Sequence, residues 1–235
     1  MFEFLRKEDY FRWGESGIPL NEQKGLKGAE DAFILSLLMD KLGLKILEMG
    51  GGNSRILKLL CDDNECWNID SFEGKHNGPV REIKIENVRN VVGQLGDFSP
   101  ELRDDYFDWV VSVSVMEHVP GDMLPKVFED CRRVLKPGGF VAHAIDVYLL
   151  DKDDCDHPHQ ASVRSRLKTY LESAESAGLE LVEDPVPIED PYFRGSYVSQ
   201  ADSVMHLWNS LAPKLRPLRE IAQVVSLKAV WRKPD

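Results

Sequence analysis

Residues 45–57, with the sequence KILEMGGGNSRIL, decide the fold of this 235-residue chain. The stretch begins as an apolar run typical of a buried strand, passes through three consecutive glycines, and resumes at helical spacing through Ile56, Leu57 and Leu60. The pattern predicts a strand, a glycine turn and a helix. Glycine lets the backbone approach a ligand where a Cβ atom would collide, and the first turn of the helix presents unpaired N–H groups at the same point. The sequence therefore predicts a ligand site at this turn.

Two kinds of nucleotide ligand bind such a turn, and the spacing separates them. A dinucleotide fingerprint needs G-x-G-x-x-G, and Arg55 stands where its third glycine belongs. The pattern Glu48-x-Gly50-x-Gly52-x-Ser54 instead resembles motif I of the class I S-adenosylmethionine (SAM) methyltransferases, E/D-x-G-x-G-x-G, with Ser54 replacing the last glycine. The resemblance implies that Glu48 orders the methionyl end of the cofactor. On this motif alone, an ordinary strand-to-helix turn with flexible glycines is the alternative.

Two later segments extend the resemblance. Residues 108–120, DWVVSVSVMEHVP, are similar to motif IV of the small-molecule methyltransferases related to the ubiquinone and menaquinone enzymes. Residues 136–139, KPGG, precede a further strand, as is common in that family. The three signals in this order identify the chain as a member of the class I methyltransferases. The resemblance implies an α/β fold: a seven-stranded Rossmann-like sheet with helices on both faces and an inserted lid between the last two strands.

The predicted domain organisation follows from the same elements. Residues 1–28 are predicted to form an N-terminal arm, irregular or with a short helix, which packs on the main domain or covers the ligand. Residues 29–235 are predicted to form the methyltransferase domain. Its last two strands, 179–182 and 224–231, are separated by a long connection, and an insert at about 184–218 is predicted to cover the substrate, with surface packing as the alternative. The residues expected to build this cover are Tyr192, Phe193, Arg194, Tyr197, His206 and Trp208.

Carboxylates at the ends of the second and third predicted strands are candidates for cofactor binding. Asp70 lies about 20 residues beyond the first glycine, where nucleotide-binding α/β folds place an acidic group on the ribose hydroxyls. An Asp at a strand end can also be a turn or cap residue. The resemblance implies that Asp97 binds the adenine amino group, and Phe98 follows it and could pack on the ring. The predicted cofactor-binding residues are Glu48, Gly50, Gly51, Gly52, Asp70, Asp97 and Phe98.

Three residues are candidates for the general base: His118, His143 and Asp146. All three are predicted near the carboxyl ends of the two central strands, the edge that faces the ligand in open α/β sheets. Histidine suits proton transfer near neutral pH, so His118 is the first candidate. The alternative is a structural imidazole that closes the turn after the strand. If the acceptor is an amine, no base is required.

The composition of the chain limits the kinds of partner and the cellular compartment that fit it. A formal net charge of −11 argues against a nucleic-acid partner, because such proteins usually carry basic patches. No aliphatic stretch is long enough to span a bilayer. Four cysteines without zinc spacing indicate reduced thiols in a cytoplasmic protein. Carboxylates and imidazoles between Asp151 and His159 could ligate a metal, but they fit no calcium loop, and we predict a solvated surface without metal.

The function predicted from the sequence is transfer of a methyl group from SAM to an oxygen or nitrogen of a small metabolite, such as a sugar or biosynthetic intermediate. The chain has no Pro-Pro dipeptide and so lacks the Asn/Asp-Pro-Pro-Tyr signature of many DNA-adenine and glutamine methyltransferases. Two alternatives remain. One is an aminopropyltransferase-like enzyme on the same fold, with the acidic residues near Asp151 gripping a polyamine. The other is a SAM-binding protein without catalysis.

Overall fold

The computed structural model describes residues 1–21, 25–74, 78–154, 157–183, 191–200 and 216–235. These residues form an α/β fold, with one mixed parallel and antiparallel sheet of eight strands and helices packed on it. The strands are β1 Phe2–Phe4, β2 Lys45–Met49, β3 Glu65–Asp70, β4 Val88–Val92, β5 Phe107–Val113, β6 Leu135–Leu150, β7 Glu180–Leu181 and β8 Ala222–Arg232. The helices are α1 Lys7–Glu15, α2 Leu26–Leu38, α3 Leu57–Leu60, α4 Leu124–Val134, α5 Pro158–Ser176 and α6 Arg216–Ile221. The predicted fold class is confirmed, with eight strands in place of seven.

The strands follow the order β1-β8-β6-β5-β2-β3-β4, with β7 also paired to β8. Strands β4, β3, β2, β5 and β6 are parallel, and β8 runs antiparallel to β6. The central strands are buried on both faces, which explains their almost continuous apolar sequence. On one face Phe128 and Tyr170 of α4 and α5 join the core, and on the other Phe33 of α2 and Leu57 of α3 do so. Parallel strands bring their carboxyl ends to a single edge, and this edge holds the candidate site.

The N-terminal residues are part of the sheet. Phe2 and Phe4 pair antiparallel with Ala229 and Leu227 of β8, so residues 2–4 form a strand that the sequence did not predict. On the same edge of β8, strand β7 pairs over only two residues, with Leu181 opposite Trp231. The expected hairpin of the last two strands is therefore very short, because β1 occupies most of the edge that β7 would use.

Several element boundaries differ from the predictions. The apolar spacing before β2 predicts a helix from Glu30 to Leu42, but α2 spans Leu26–Leu38. After the glycine turn the spacing predicts a helix from Ser54 to Cys61, but α3 is a single turn, Leu57–Leu60. Within the predicted substrate cover, Tyr197 packs on Phe4 with ring centroids 5.3 Å apart. His206 and Trp208 lie outside the described residues, so the cover as a whole stays a prediction. Within the described stretches, no helix has both the length and the apolar character needed to cross a membrane.

Candidate active site

The glycine turn follows β2 directly. The Gly50 N–H donates to the carbonyl of Ile69 at the end of β3 (2.8 Å), which ties the turn to the neighbouring strand. Gly50 has a φ of 68°, in the left-handed region. A Cβ atom at Gly50 would lie 2.7 Å from Cγ2 of Val115, so glycine is needed here for its conformation and for the close approach of the loop after β5. The turn and the end of β5 therefore meet at the same edge of the sheet.

Two asparagines that the sequence analysis missed hold this turn in place. Asn68, in the middle of β3, is completely buried, and its Oδ1 accepts from the Gly51 N–H at 3.0 Å. Its Nδ2 donates to Oδ1 of Asn90 on β4 at 3.2 Å. A carboxamide inside an otherwise apolar buried strand must find partners, because an unpaired buried amide is costly. An asparagine within a predicted buried strand is therefore a sequence signal for such a contact, and Asn68 could have been identified by it.

Asp70 lies against the glycine turn, as predicted for a ribose-binding carboxylate. Its Oδ2 accepts from the Gly52 N–H at 3.1 Å, and its Oδ1 accepts from the Phe72 N–H at 2.7 Å. The side chain is half-buried. A carboxylate accepts about four hydrogen bonds, so both oxygens retain capacity for a ligand. The position and chemistry of Asp70 fit a cis-diol, and its role there stays a prediction.

Glu48 lies directly beneath the turn. A Cβ atom on Gly51 would lie 2.7 Å from Oε2 of Glu48, and Glu48 is only 4% exposed. This Oε2 has no hydrogen-bond partner among the described residues. Burial raises the pKa of Glu48 to about 7, and the Ser54 hydroxyl opposes that rise. A buried acceptor without a partner fits the α-ammonium group of SAM, so the residues present suit the cofactor that the motif implies.

Asp97 and Phe98 occupy the loop after β4, and both side chains are exposed. Asp130 on α4 fixes this loop, since its buried Oδ2 accepts from the Gly96 N–H (2.8 Å) and the Phe98 N–H (3.1 Å). Phe98 lines an open groove that it shares with Pro125 of α4. The predicted contacts of Asp97 and Phe98 with adenine stay predictions.

A cluster of ionisable side chains lies at the carboxyl ends of β5 and β6. Ser114 follows β5, Asp146 is on β6, and the N-terminal half of α2 contributes Lys27 and Glu30. Lys27 Nζ lies 3.0 Å from Oδ2 of Asp146 and 3.3 Å from Oε2 of Glu30, and it also donates to Ser114. The Ser114 hydroxyl donates to Oε2 of Glu30 at 2.8 Å. Glu117 in the short helix Met116–His118 completes this group, which we call the acidic cluster.

Burial dominates the electrostatics of the acidic cluster. Glu30 is completely buried, and this burial, followed by the charge of Asp146, raises its pKa to about 8. Burial and Asp146 also raise the pKa of Glu117 well above its usual value. Burial alone would lower the pKa of Lys27, but the neighbouring carboxylates of Glu30 and Asp146 raise it overall. The cluster therefore holds more acidic groups than its single ammonium can neutralise.

Of the three candidate bases, the structure separates His143 from the other two. His143 is completely buried between Phe128 and Trp231, and its Nδ1 is 2.7 Å from the Ser112 hydroxyl. Burial lowers its pKa to about 3, so the ring stays neutral. Its side chain lies in the core on the face opposite Asp146, because neighbouring strand residues alternate. A base must reach the acceptor, so the burial of His143 in the core excludes it from that role.

His118 and Asp146 both lie at the expected edge. His118 is 41% exposed, with Nε2 3.7 Å from Oε1 of Glu117. Arg166 of α5 fixes the turn that carries both residues, since its guanidinium donates to the carbonyls of Met116 (2.8 Å) and Val119 (2.6 Å). Sequence analysis also missed Lys27 and Glu30. Glu30 lies one turn before Phe33 and Ile34 on the buried face of α2. A carboxylate on the apolar face of a predicted helix is unusual, and this pattern could have identified Glu30 from the sequence.

Replacing Glu30 with Gln tests the electrostatics of the acidic cluster. The pKa of Glu30 is raised on folding, so its contribution to stability is fully present below pH 4.5 and is lost as the pH rises through about 8. One such proton gives a slope of about 1.4 kcal/mol per pH unit. We expect Glu30→Gln to match the wild type near pH 5 and to exceed its free energy of unfolding by up to about 4 kcal/mol at pH 8, which is that slope over about three pH units. Urea unfolding at both pH values measures this difference, with the exposed Glu175→Gln as control. An equal difference at both pH values would contradict it.

No group of three metal-binding side chains is assembled within the described ranges. In the segment where a metal was the alternative, His159 Nε2 contacts the carbonyl of Tyr148 at 2.9 Å, and Nδ1 of His157 accepts from the His159 N–H at 3.1 Å. Cys155 and Asp156 lie outside the described residues. The described cysteines, Cys61, Cys66 and Cys131, are free thiols.

Comparisons with known proteins agree with this geometry. Residues 47–143 match the family model described as a methyltransferase domain. A comparison with curated protein sequences gave no match. A TehB-like SAM-dependent methyltransferase from Corynebacterium glutamicum is 20% identical, with 96% of this chain and 95% of that chain covered and a TM-score of 0.51.

Two further solved structures share the fold. The methyltransferase solved with the Trm112 activator of Haloferax volcanii is 20% identical, with 97% and 98% coverage and a TM-score of 0.53. Phosphoethanolamine N-methyltransferase 2 of Haemonchus contortus, solved with phosphomonomethylethanolamine and S-adenosylhomocysteine, is 16% identical over 87% of this chain and 52% of that chain, with a TM-score of 0.53. At these identities the likeness concerns the fold.

Proposed function

We propose that this chain, a class I SAM-dependent methyltransferase, transfers the methyl group of its cofactor to an oxygen or nitrogen of a small metabolite in the cytoplasm. The observation that supports a small acceptor is the acidic cluster beside the glycine turn. Val115 packs on Gly50, and its neighbours Ser114 and Glu117 belong to the cluster, so cofactor residues and cluster share one edge of the sheet. The cluster is mostly buried, which suits a compact acceptor more than a macromolecular surface.

Bound SAM would supply a methyl group on a positively charged sulfonium, which an acceptor attacks in line. The residues of this chain would then hold and orient the two reactants. The turn residues Gly50 and Gly52 with Asp70 would hold the nucleoside, and Glu48 would accept from the methionyl ammonium. The burial of the Glu30 and Glu117 carboxyls would limit the access of water to them, which strengthens charge interactions in the cluster. Orientation of this kind accounts for much of the rate of a displacement that needs little covalent help from the protein.

A hydroxyl acceptor must lose a proton, and the acidic cluster and His118 are the groups placed to take it. His118 is partly exposed and has its Nε2 beside Glu117, so its imidazole reaches both solvent and cluster. Asp146 lies deeper, in contact with Lys27. We assign the first role to His118 and treat Asp146 as a residue that orients the acceptor. An amine acceptor that arrives unprotonated would not need the base.

Replacing His118 with alanine tests this assignment. If His118 takes the proton of a hydroxyl acceptor, kcat should fall about a hundredfold, the usual contribution of a general base. The acidic limb of the pH–kcat profile should disappear with it, because that limb reports the protonation of the base. The matched control is His157→Ala, an exposed histidine at the start of α5. A loss below about threefold would remove His118 from this role, since it lies far under the usual contribution.

The proposed function is tested with SAM labelled in its methyl group and a panel of hydroxylated and amino metabolites. Label recovered in an acceptor, together with stoichiometric S-adenosylhomocysteine, supports methyl transfer. Calorimetry with SAM and S-adenosylhomocysteine measures cofactor binding independently. Binding without label transfer to any acceptor would favour a non-catalytic SAM-binding protein, and transfer only to a protein or nucleic acid would contradict the small acceptor.

A further inference from the structure

The acidic cluster contains buried carboxylate oxygens that no described residue uses. Glu30 is completely buried, and while its Oε2 accepts from Ser114, its Oε1 has no hydrogen-bond partner among the described residues. Both oxygens of Glu117 are likewise shielded from solvent and without a hydrogen bond to any described residue. A buried acceptor without a donor costs about 1–3 kcal/mol, and more when it is charged. Such a cost is expected where a ligand supplies the missing donors.

When all of its carboxyls are ionised, the cluster carries more negative charge than Lys27 can neutralise, and burial together with this excess raises the pKa values of Glu30 and Glu117. Glu30, Glu117 and Asp146 carry three carboxyl groups, and among the described residues Lys27 is the cation that contacts two of them. His118 approaches Glu117 only at 3.7 Å, and its charge depends on protonation. The cluster is not sealed, because the side chains of Lys27 and Asp146 remain 32% and 20% exposed. A small ligand therefore has a route to the unused oxygens along this side.

The geometry points to an acceptor that carries a protonated amino group, bound among Glu30, Glu117 and Asp146. This inference rests on the proposed function, because it identifies the acceptor site by its position beside the glycine turn. An ammonium group brings a positive charge and up to three N–H donors, which matches the unused carboxylate oxygens in both respects. A neutral hydroxyl offers one donor and no charge, and an anionic acceptor would meet like charges. The site thus selects amine-bearing metabolites over their neutral or acidic counterparts.

The α-ammonium group of the cofactor is the competing occupant. Glu48 offers that group a separate unused acceptor directly under the turn, on β2, so the cofactor does not require the cluster. Glu30, Glu117 and Asp146 belong to α2, the turn after β5 and β6, on the side of β2 away from Asp70 and β3. The positions of these residues therefore favour the acceptor as the ligand of the cluster.

Calorimetry on protein saturated with S-adenosylhomocysteine tests the inference without any need for catalysis. The probes are 1,4-diaminobutane and glucosamine, each compared with its neutral counterpart, 1,4-butanediol and glucose, at pH 7.5. We expect at least one amine to bind about tenfold or more tightly than its counterpart, a difference of about 1.4 kcal/mol. Glu117→Gln, which keeps the shape and cannot ionise when an ammonium group binds, should abolish this preference. The exposed Glu175→Gln should retain it.

Two results would overturn the inference: neither amine binds better than its neutral counterpart, or Glu117→Gln weakens S-adenosylhomocysteine binding while the preference for amines persists. The second result would assign the cluster to the cofactor. The proposed function fails separately. Amine binding without methyl transfer to any compound would contradict the proposed function but support the amine site. Methylation of a neutral alcohol without any preference for amines would support the proposed function but contradict the amine site.

Discussion

Replacing Asp70 with alanine is expected to weaken the binding of S-adenosylhomocysteine at least a hundredfold, with roughly 1.5 kcal/mol or more lost for each of two hydrogen bonds to a charged acceptor. The Asp70 carboxylate lies at the glycine turn, held by the N–H groups of Gly52 and Phe72 at 3.1 and 2.7 Å. In that position its remaining lone pairs would accept from both ribose hydroxyls. Isothermal calorimetry on the folded variant measures the loss of affinity.

The controls for Asp70→Ala separate ligand contact from support of the turn. Asp62→Ala removes an exposed carboxylate just before β3 and should leave the affinity unchanged. The variant should also lose affinity for 5′-methylthioadenosine, which keeps the ribose and base but lacks the amino-acid end, and should bind free adenine as the wild type does. A loss below about threefold for S-adenosylhomocysteine would mean that Asp70 only shapes the turn, because one charged hydrogen bond alone exceeds that.

The parts of the fold that the sequence predicted are those encoded by local patterns. The run 45–57 contains its own strand, turn and helix start, and the β-branched residues of β5 mark a strand buried on both faces. Strand β1 could not be predicted in this way. Three residues are too few for a periodicity, and what makes them a strand is pairing with β8 more than 220 residues later. The same pairing shortened β7, so the sequence alone could not show either change.

The candidate site was predictable where residues follow their strand directly and not where distant elements meet. Glu48 and Asp70 lie at the glycine turn because they end neighbouring parallel strands. Glu30 lies in the site because α2 packs against β5 and β6, a tertiary contact with no local signature. His143 was predicted at the site because the alternation of side chains along β6 was not taken into account. Counting two residues along β6 from Val141 places His143 with the core residues, whereas Asp146 falls on the other face.

A buried ion pair attaches the N-terminal segment to the sheet, and breaking it should have a large effect on stability. Lys228 on β8 is only 2% exposed, and its Nζ lies 2.6 Å from Oδ2 of Asp9 on α1 and 2.9 Å from Oε1 of Glu3 on β1. Alanine at position 228 would leave the buried Asp9 carboxylate without its main counter-charge. We expect Lys228→Ala to lower the free energy of unfolding by about 3–5 kcal/mol, as is typical when one partner of a buried pair is removed. Urea unfolding at pH 7 measures the loss.

Two controls for Lys228→Ala use the fact that removing one partner of a buried ion pair costs much more stability than replacing both partners with apolar residues. Lys168→Ala removes an exposed lysine 3.2 Å from Glu172 and should cost about 1 kcal/mol or less. Lys228→Met combined with Asp9→Leu removes both charges and keeps the volume, so it should recover most of the lost stability. A loss in Lys228→Ala no larger than that in Lys168→Ala would show that water reaches Asp9. The N-terminal segment would then be attached to the sheet mainly by the pairing of β1 with β8.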